Sequence, residues 1–123
     1  MKDGNEKYLR AYKSDGDISP EARLHTFRNG QSPCAVIVSC SDSRVLPESI
    51  FSAGIGDLFV IRVAGNITDN IAIGSIEYAL SHLNAPLVVV LGHTCCGAVN
   101  AAICGGAEGH IKSITDKIKL AIG

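Results

Sequence analysis

Surplus charge is missing from this sequence. Eleven Lys and Arg stand against 12 Asp and Glu, a formal net charge of −1, and the basic residues do not cluster. That pattern argues against nucleic acid or an anionic membrane as the main partner. Also missing is any apolar stretch near the roughly 20 residues that a membrane-spanning helix needs. The opening MKDGNEKYLR is polar and has no apolar core of the kind a signal peptide carries, so a cytoplasmic address is expected. Neither an internal repeat nor a low-complexity tract interrupts the chain. What remains is the profile of one folded unit, with 123 residues, 46% apolar and 19% charged. That is enough to bury a core and too apolar for disorder.

Cysteine is present in an odd number, as Cys34, Cys40, Cys95, Cys96 and Cys104. With no export signal in view, a disulfide framework is disfavoured, and metal binding or thiol chemistry becomes the better explanation. Cys34 and Cys104, each isolated in apolar or Gly-rich surroundings, read instead as small buried apolar residues.

Residues 1–33 are polar and broken by Gly4, Gly16, Pro20, Gly30 and Pro33. Glu6–Lys13 is expected to form a short helix. Ser19-Pro20-Glu21 looks like an N-cap followed by proline at the first helical position, opening a second helix through Phe27. With so little apolar surface, 1–33 is expected to be a helical arm that packs on something else, a second subunit being the natural candidate. From residue 34 to 123 the character changes to an α/β domain. Ala35–Ser39, Leu58–Val63 and Leu87–Leu91 are short, apolar and β-branched, without alternation. Runs of that kind belong to parallel strands covered on both faces. A helical turn is expected over Pro47–Ala53, a turn at Ala64-Gly65-Asn66, and helices over Ile71–Leu83, Gly97–Ile103 and His110–Ile122. Strands alternating with helices predict a parallel-rich sheet flanked by helices.

In such sheets ligands gather beyond the carboxyl ends of the strands, and two of the three strands end in concentrated chemistry. One runs into Cys40-Ser41-Asp42-Ser43-Arg44, the other into His93-Thr94-Cys95-Cys96. Imidazole and thiolate are the donors Zn²⁺ prefers, and Cys40, His93 and Cys96 would supply three of them. Structural zinc sites normally close with four protein ligands, whereas catalytic ones leave a position open. Taken singly, either motif is more often a capped helix start or a packed thiol; together at adjacent strand ends they are hard to explain as packing. Asp42 could be a fourth ligand or an acceptor beside the metal, and Arg44 can pair with it through two hydrogen bonds. The plainer alternative, a surface ion pair worth about 0–1 kcal/mol, fits poorly at a strand end beside a metal site. His25, His82 and His110 are assigned no role.

Cys40-x-Asp42-x-Arg44, followed by Gly92-His93-x-x-Cys96-Gly97-Ala98-Val99, resembles the β-class carbonic anhydrases. Gly56-Asp57-Leu58-Phe59-Val60-Ile61-Arg62-Val63-Ala64-Gly65-Asn66 and Ile76-Glu77-Tyr78-Ala79 resemble that family as well, and the likeness runs from about Pro33 to Ile103. The resemblance implies one Zn²⁺ held by Cys40, His93 and Cys96, with Asp42 and Arg44 as a catalytic dyad and Cys95 outside the ligand set. It implies reversible hydration of CO2 to bicarbonate and a proton, the metal lowering the pKa of bound water from about 15.7 toward about 7 to supply hydroxide. It implies a closed state in which Asp42 itself ligates zinc, a pocket completed across a homodimer or larger homo-oligomer, and substrate contacts from Tyr78 and the Gly97 N–H. Ala53 stands where the family pattern was expected to carry a Gln donor, and the chain stops at Gly123, short of the family's usual C-terminal part. Those departures leave room for an alternative: a carbonic-anhydrase-like zinc protein with weak or no hydratase activity. It would act on CS2 or COS, or serve as an anion-binding or sensing protein.

Overall fold

A computed structural model describes residues 1–10 and 15–123. The chain runs through α1 (Lys2–Arg10), α2 (Pro20–Asn29), β1 (Ala35–Ser39), α3 (Pro47–Ile50) and β2 (Leu58–Arg62). A 3₁₀ turn over Ala64–Asn66 follows, then α4 (Asn70–His82), β3 (Val88–Leu91), α5 (Gly97–Cys104) and α6 (Ile111–Ile122). The three strands form one sheet in the order β2-β1-β3, with both pairings parallel. This is the α/β architecture expected from unalternating strands separated by helices, except that β3, expected to be covered on both faces, lies at the sheet edge and leaves Val88 and Val90 exposed.

The first strand lies in the middle, and that position explains its burial. Ala35, Val36 and Ile37 are fully buried and Val38 nearly so. One face is closed by α4, where Val36, Ala79 and Ala85 pack together with Phe59, Ile61, Ile76 and Leu83. Leu58 pairs with Ala35 and Arg62 with Ser39, while Val88 pairs with Val36 and Leu91 with Ser39. The register therefore brings the carboxyl ends of all three strands level. The ladder runs slightly past its formal end, as Val63 N–H donates to the Ser39 carbonyl and Ser41 N–H to that of Val63.

Local signals set most of the boundaries. Ser19 caps α2 by accepting from Ala22 N–H at 3.1 Å, with Pro20 at the first helical position. Asp69 caps α4 through Ala72 N–H at 2.8 Å. The expected turn at 47–53 is helical only over Pro47–Ile50, because Ser52 takes a positive φ of 48° that no helix continues through.

The arm differs most from its expectation. Its first helix begins at Lys2 rather than Glu6, and the 11–13 part of the predicted helix lies outside the described residues. Contacts with residues 50–52 hold that earlier start: Asn5 Nδ2 donates to the Ile50 carbonyl at 3.0 Å and Ser52 Oγ to that of Gly4 at 2.9 Å. Gly4 lies so close to the Phe51 carbonyl that a Cβ there would overlap it. Asp17 then accepts from Ile55 N–H at 2.9 Å through its carbonyl. The arm thus rests partly on its own chain, yet Leu9 and Phe27 stay exposed, Phe27 at 86%.

Candidate metal centre

Cys40 is the first residue beyond β1. It is buried and gripped from several sides, its Sγ accepting from Gly65 N–H at 3.2 Å and Asp42 N–H at 3.4 Å. Gly65 can make that approach because it sits at φ +70°; a Cβ there would lie 2.7 Å from Ile118 Cδ1 and 3.0 Å from Ala98 Cβ. Across from it, β3 leads through Gly92 to His93, and the following loop reaches Cys96 at the N-cap of α5. The Cys96 side chain makes no capping hydrogen bond, and its Sγ lies 3.9 Å from that of Cys40. One donor atom each from Cys40, His93 and Cys96 lie within 4.8 Å of one another.

Two features of this trio fit a metal ion. Thiolates on one tetrahedral Zn²⁺, each about 2.3 Å from it, stand roughly 3.8 Å apart, close to the observed separation. His93 is oriented by its other nitrogen, Nδ1 lying 2.9 Å from the Thr94 carbonyl, which leaves Nε2 buried and without a hydrogen-bond partner. Such an orphaned nitrogen is costly unless something binds it. The donor set, two sulfurs and one imidazole, matches zinc rather than a hard, oxygen-seeking cation.

Asp42 borders the trio without joining it. Arg44 donates to it three times: N–H and Nε to Oδ1, both at 2.9 Å, and Nη2 to Oδ2 at 2.7 Å. The same Nη2 reaches the Cys95 carbonyl at 3.2 Å, tying the two loops together. Asp42 Oδ2 remains 4.0 Å from His93 Nε2, beyond hydrogen-bond range. Hydrogen bonds from Arg44 hold the Asp42 carboxyl well below the usual carboxylate range, and Asp42 in turn raises Arg44. Burial pushes the Cys40 thiol up, but the neighbouring His93 ring, the Asp42 and Gly65 N–H groups and the Cys96 thiol outweigh it and bring it down to about 7. The Cys40 sulfur correspondingly raises His93. A cleft of about 240 Å³ opens beside the cluster, lined by His93, Cys95, Cys96, Val99, Asn100 and Ile103.

The other expected site residues fall in different places. Gly97 opens α5, with open space where a Cβ would stand. Tyr78 is not brought to the cluster within this chain: it is 47% exposed on α4, its ring 6.0 Å from Phe59 and 5.4 Å from His82. Ala53 lies on the stretch covered by the arm, its carbonyl against Gly16. Cys34 and Cys104 are exposed rather than buried, Cys34 just ahead of β1 and Cys104 at the last position of α5. Arg62 and Gly65, to which the sequence assigns no site role, also border the cluster through Cys40 and Asp42. Their signals in the sequence were an arginine closing an otherwise apolar strand and a glycine in the turn that follows.

A family model for carbonic anhydrase matches residues 35–122. The chain belongs to the β-class carbonic anhydrase family. Carbonic anhydrase 2 of Mycobacterium tuberculosis is 42% identical over 123 aligned positions, covering 96% of this chain and 59% of the relative. Among solved structures, the Coccomyxa β-carbonic anhydrase in complex with acetazolamide superimposes with a TM-score of 0.76 at 26% identity, over 84% of this chain and 49% of that one. A tetrameric β-carbonic anhydrase of Sordaria macrospora gives a TM-score of 0.70 at 31% identity, over 81% of this chain and 57% of that one. The chain therefore spans about half to three fifths of the length of these relatives.

Proposed function

We propose that this chain carries out the reversible hydration of CO2 to bicarbonate and a proton, with one Zn²⁺ held by Cys40, His93 and Cys96. The observation that carries this reading is the Asp42–Arg44 pair. Three donors converge and the nearest carboxylate is turned to a guanidinium, the layout of a metal site with one position left open rather than of a closed structural site. When bound, the metal supplies a Lewis acid that makes hydroxide available near neutral pH.

The chain's own residues do the rest. Asp42, kept ionised by Arg44, accepts a hydrogen bond at the open side of the site and thereby orients the nucleophile. The Gly97 N–H at the start of α5 is a donor suited to a developing oxyanion. The cleft beside His93 and Cys96 is small and mostly apolar, which suits a small linear substrate. Family membership supports a homo-oligomer, since one relative is tetrameric. A second subunit would cover the exposed side chains of the 1–33 arm and give the outward-facing Tyr78 a neighbouring site to line. Five free thiols suit a reducing, cytoplasmic setting, and no described helix is long and apolar enough to cross a membrane.

The test is metal analysis with stopped-flow CO2 hydration across roughly pH 6.5–9, which brackets a metal-bound water near 7. One zinc per chain with hydration is expected, with Asp42→Asn reducing turnover about 10–100-fold. Full zinc occupancy with no hydration across that range would overturn the enzymatic reading.

A further inference from the structure

We infer that Arg62 is a positioning residue, holding the Cys40–Arg44 loop by its main chain so that the Cys40 sulfur and the Asp42 carboxylate keep their mutual orientation. This rests on the zinc-site reading above. Arg62 is the last residue of β2 and pairs with Ser39, the last residue of β1. From there its side chain reaches forward along the strand direction. Nε donates to the Cys40 carbonyl at 2.9 Å and Nη2 to the Asp42 carbonyl at 2.7 Å. One planar fork therefore spans two carbonyls two residues apart.

The division of labour follows from what each bond holds. Arg44 aims the Asp42 carboxylate, while Arg62 fixes the peptide groups from which the carboxylate and the Cys40 thiol hang. Ser41 N–H on the Val63 carbonyl and Gly65 N–H on the Cys40 sulfur come from the same segment. The end of β2 thus acts as a template for the metal-binding loop. No carboxylate pairs with Arg62 among the described residues, so its bonds to the loop account for a guanidinium at the end of an apolar strand. Without the fork, two half-buried carbonyls lose their partner and the loop's peptide planes are free to turn. Lysine keeps the charge but has no planar pair of donors to span both carbonyls.

The experiment compares the wild-type chain with Arg62→Lys and Arg62→Met. Zn²⁺ affinity is read by competition with a chromogenic chelator, site geometry by the visible absorption of the Co²⁺-loaded protein, and folding by thermal melting. Both variants are expected to bind Zn²⁺ about 10–100-fold more weakly and to show an altered Co²⁺ spectrum, with Lys giving no full rescue. Wild-type affinity and spectrum in either variant would overturn the assignment, and full recovery by Lys would reduce Arg62 to a charge. If Arg62→Met fails to fold, Arg62→Lys decides; if neither folds, Arg62 is a scaffold residue and the positioning role is wrong. A wild-type chain with no Zn²⁺ affinity would instead sink the zinc-site reading itself, which separates the two failures.

Discussion

Cys40 leaves β1, where every residue is buried and both neighbours are strands. His93 and Cys96 follow β3, whose outer edge pairs with no strand among the described residues and whose Val90 is 68% exposed. The two strands have nearly the same composition, AVIVS against VVVL. Their different housing comes from strand order together with what packs on each face: the first strand in sequence lies at the centre of the sheet, and β2, an edge like β3, is half-buried throughout where Phe59 and Ile61 meet α4. Hydrophobicity marks a segment as a strand; its neighbours in space decide how deeply it is held. One half of the candidate metal centre is therefore rooted in the core. The other is set on a flank and tied back by the Arg44–Cys95 bond and by the packing of α5 on α6.

The largest effect expected from this contrast is in stability. Ile37→Ala should cost about 2–5 kcal/mol in a urea unfolding experiment, whereas Val90→Ala should stay within about 0.5 kcal/mol of wild type. An equal cost at Val90 would break the comparison, because it would mean that β3 is covered in solution. Metal removal comes next. Adding a chelator should raise amide hydrogen exchange in the 92–97 loop at least about tenfold while Val36–Val38 stay protected, since local openings draw on the weakly held flank. Uniform loss of protection would show that both halves depend on the metal equally.

A smaller effect sits at the last residue of the buried strand. Ser39 is fully buried and its Oγ has no partner among the described residues. An orphaned hydroxyl costs about 1–3 kcal/mol, so Ser39→Ala should raise the urea midpoint, with a gain of about 1 kcal/mol. A loss of that size would reveal a buried water satisfying the hydroxyl. The smallest effect is in the arm. Hydrogen bonds with Ser19 lower the Asp17 pKa from 3.8. Its contribution is therefore full above that ordinary value and fades as pH falls through the lower folded one. Protection of the Ser19 amide, corrected for intrinsic rates, should decline below about pH 4 in wild type and be low and flat in Asp17→Asn.

What could be read from the sequence was what is local. The three strands, the caps at Ser19 and the donors at two strand ends announce themselves within a few residues. Cys40, His93 and Cys96 were recognisable as a trio because each stands where a parallel sheet gathers its ligands. The extent of α1 was not legible, since it depends on Asn5 meeting Ile50, 45 positions away. Nor was the grip of Arg62 on the Cys40 and Asp42 carbonyls, because backbone acceptors leave no trace in residue type. Cys34 and Cys104 misled for a related reason. Apolar neighbours in sequence do not ensure apolar neighbours in space.

The spacing of the donor atoms also sets an order of assembly. His93 and Cys96 are three residues apart, so an unfolded chain can offer both to an ion at once, while the Cys40 sulfur is 56 positions from that of Cys96. Pairing of β1 and β3 in register brings it alongside, so the folded sheet rather than the ion bears the entropic cost of closing that loop. Capture would then proceed in two stages, a loose bidentate hold during folding and a tight one once the sheet is complete. The third donor thus reports that the sheet has formed.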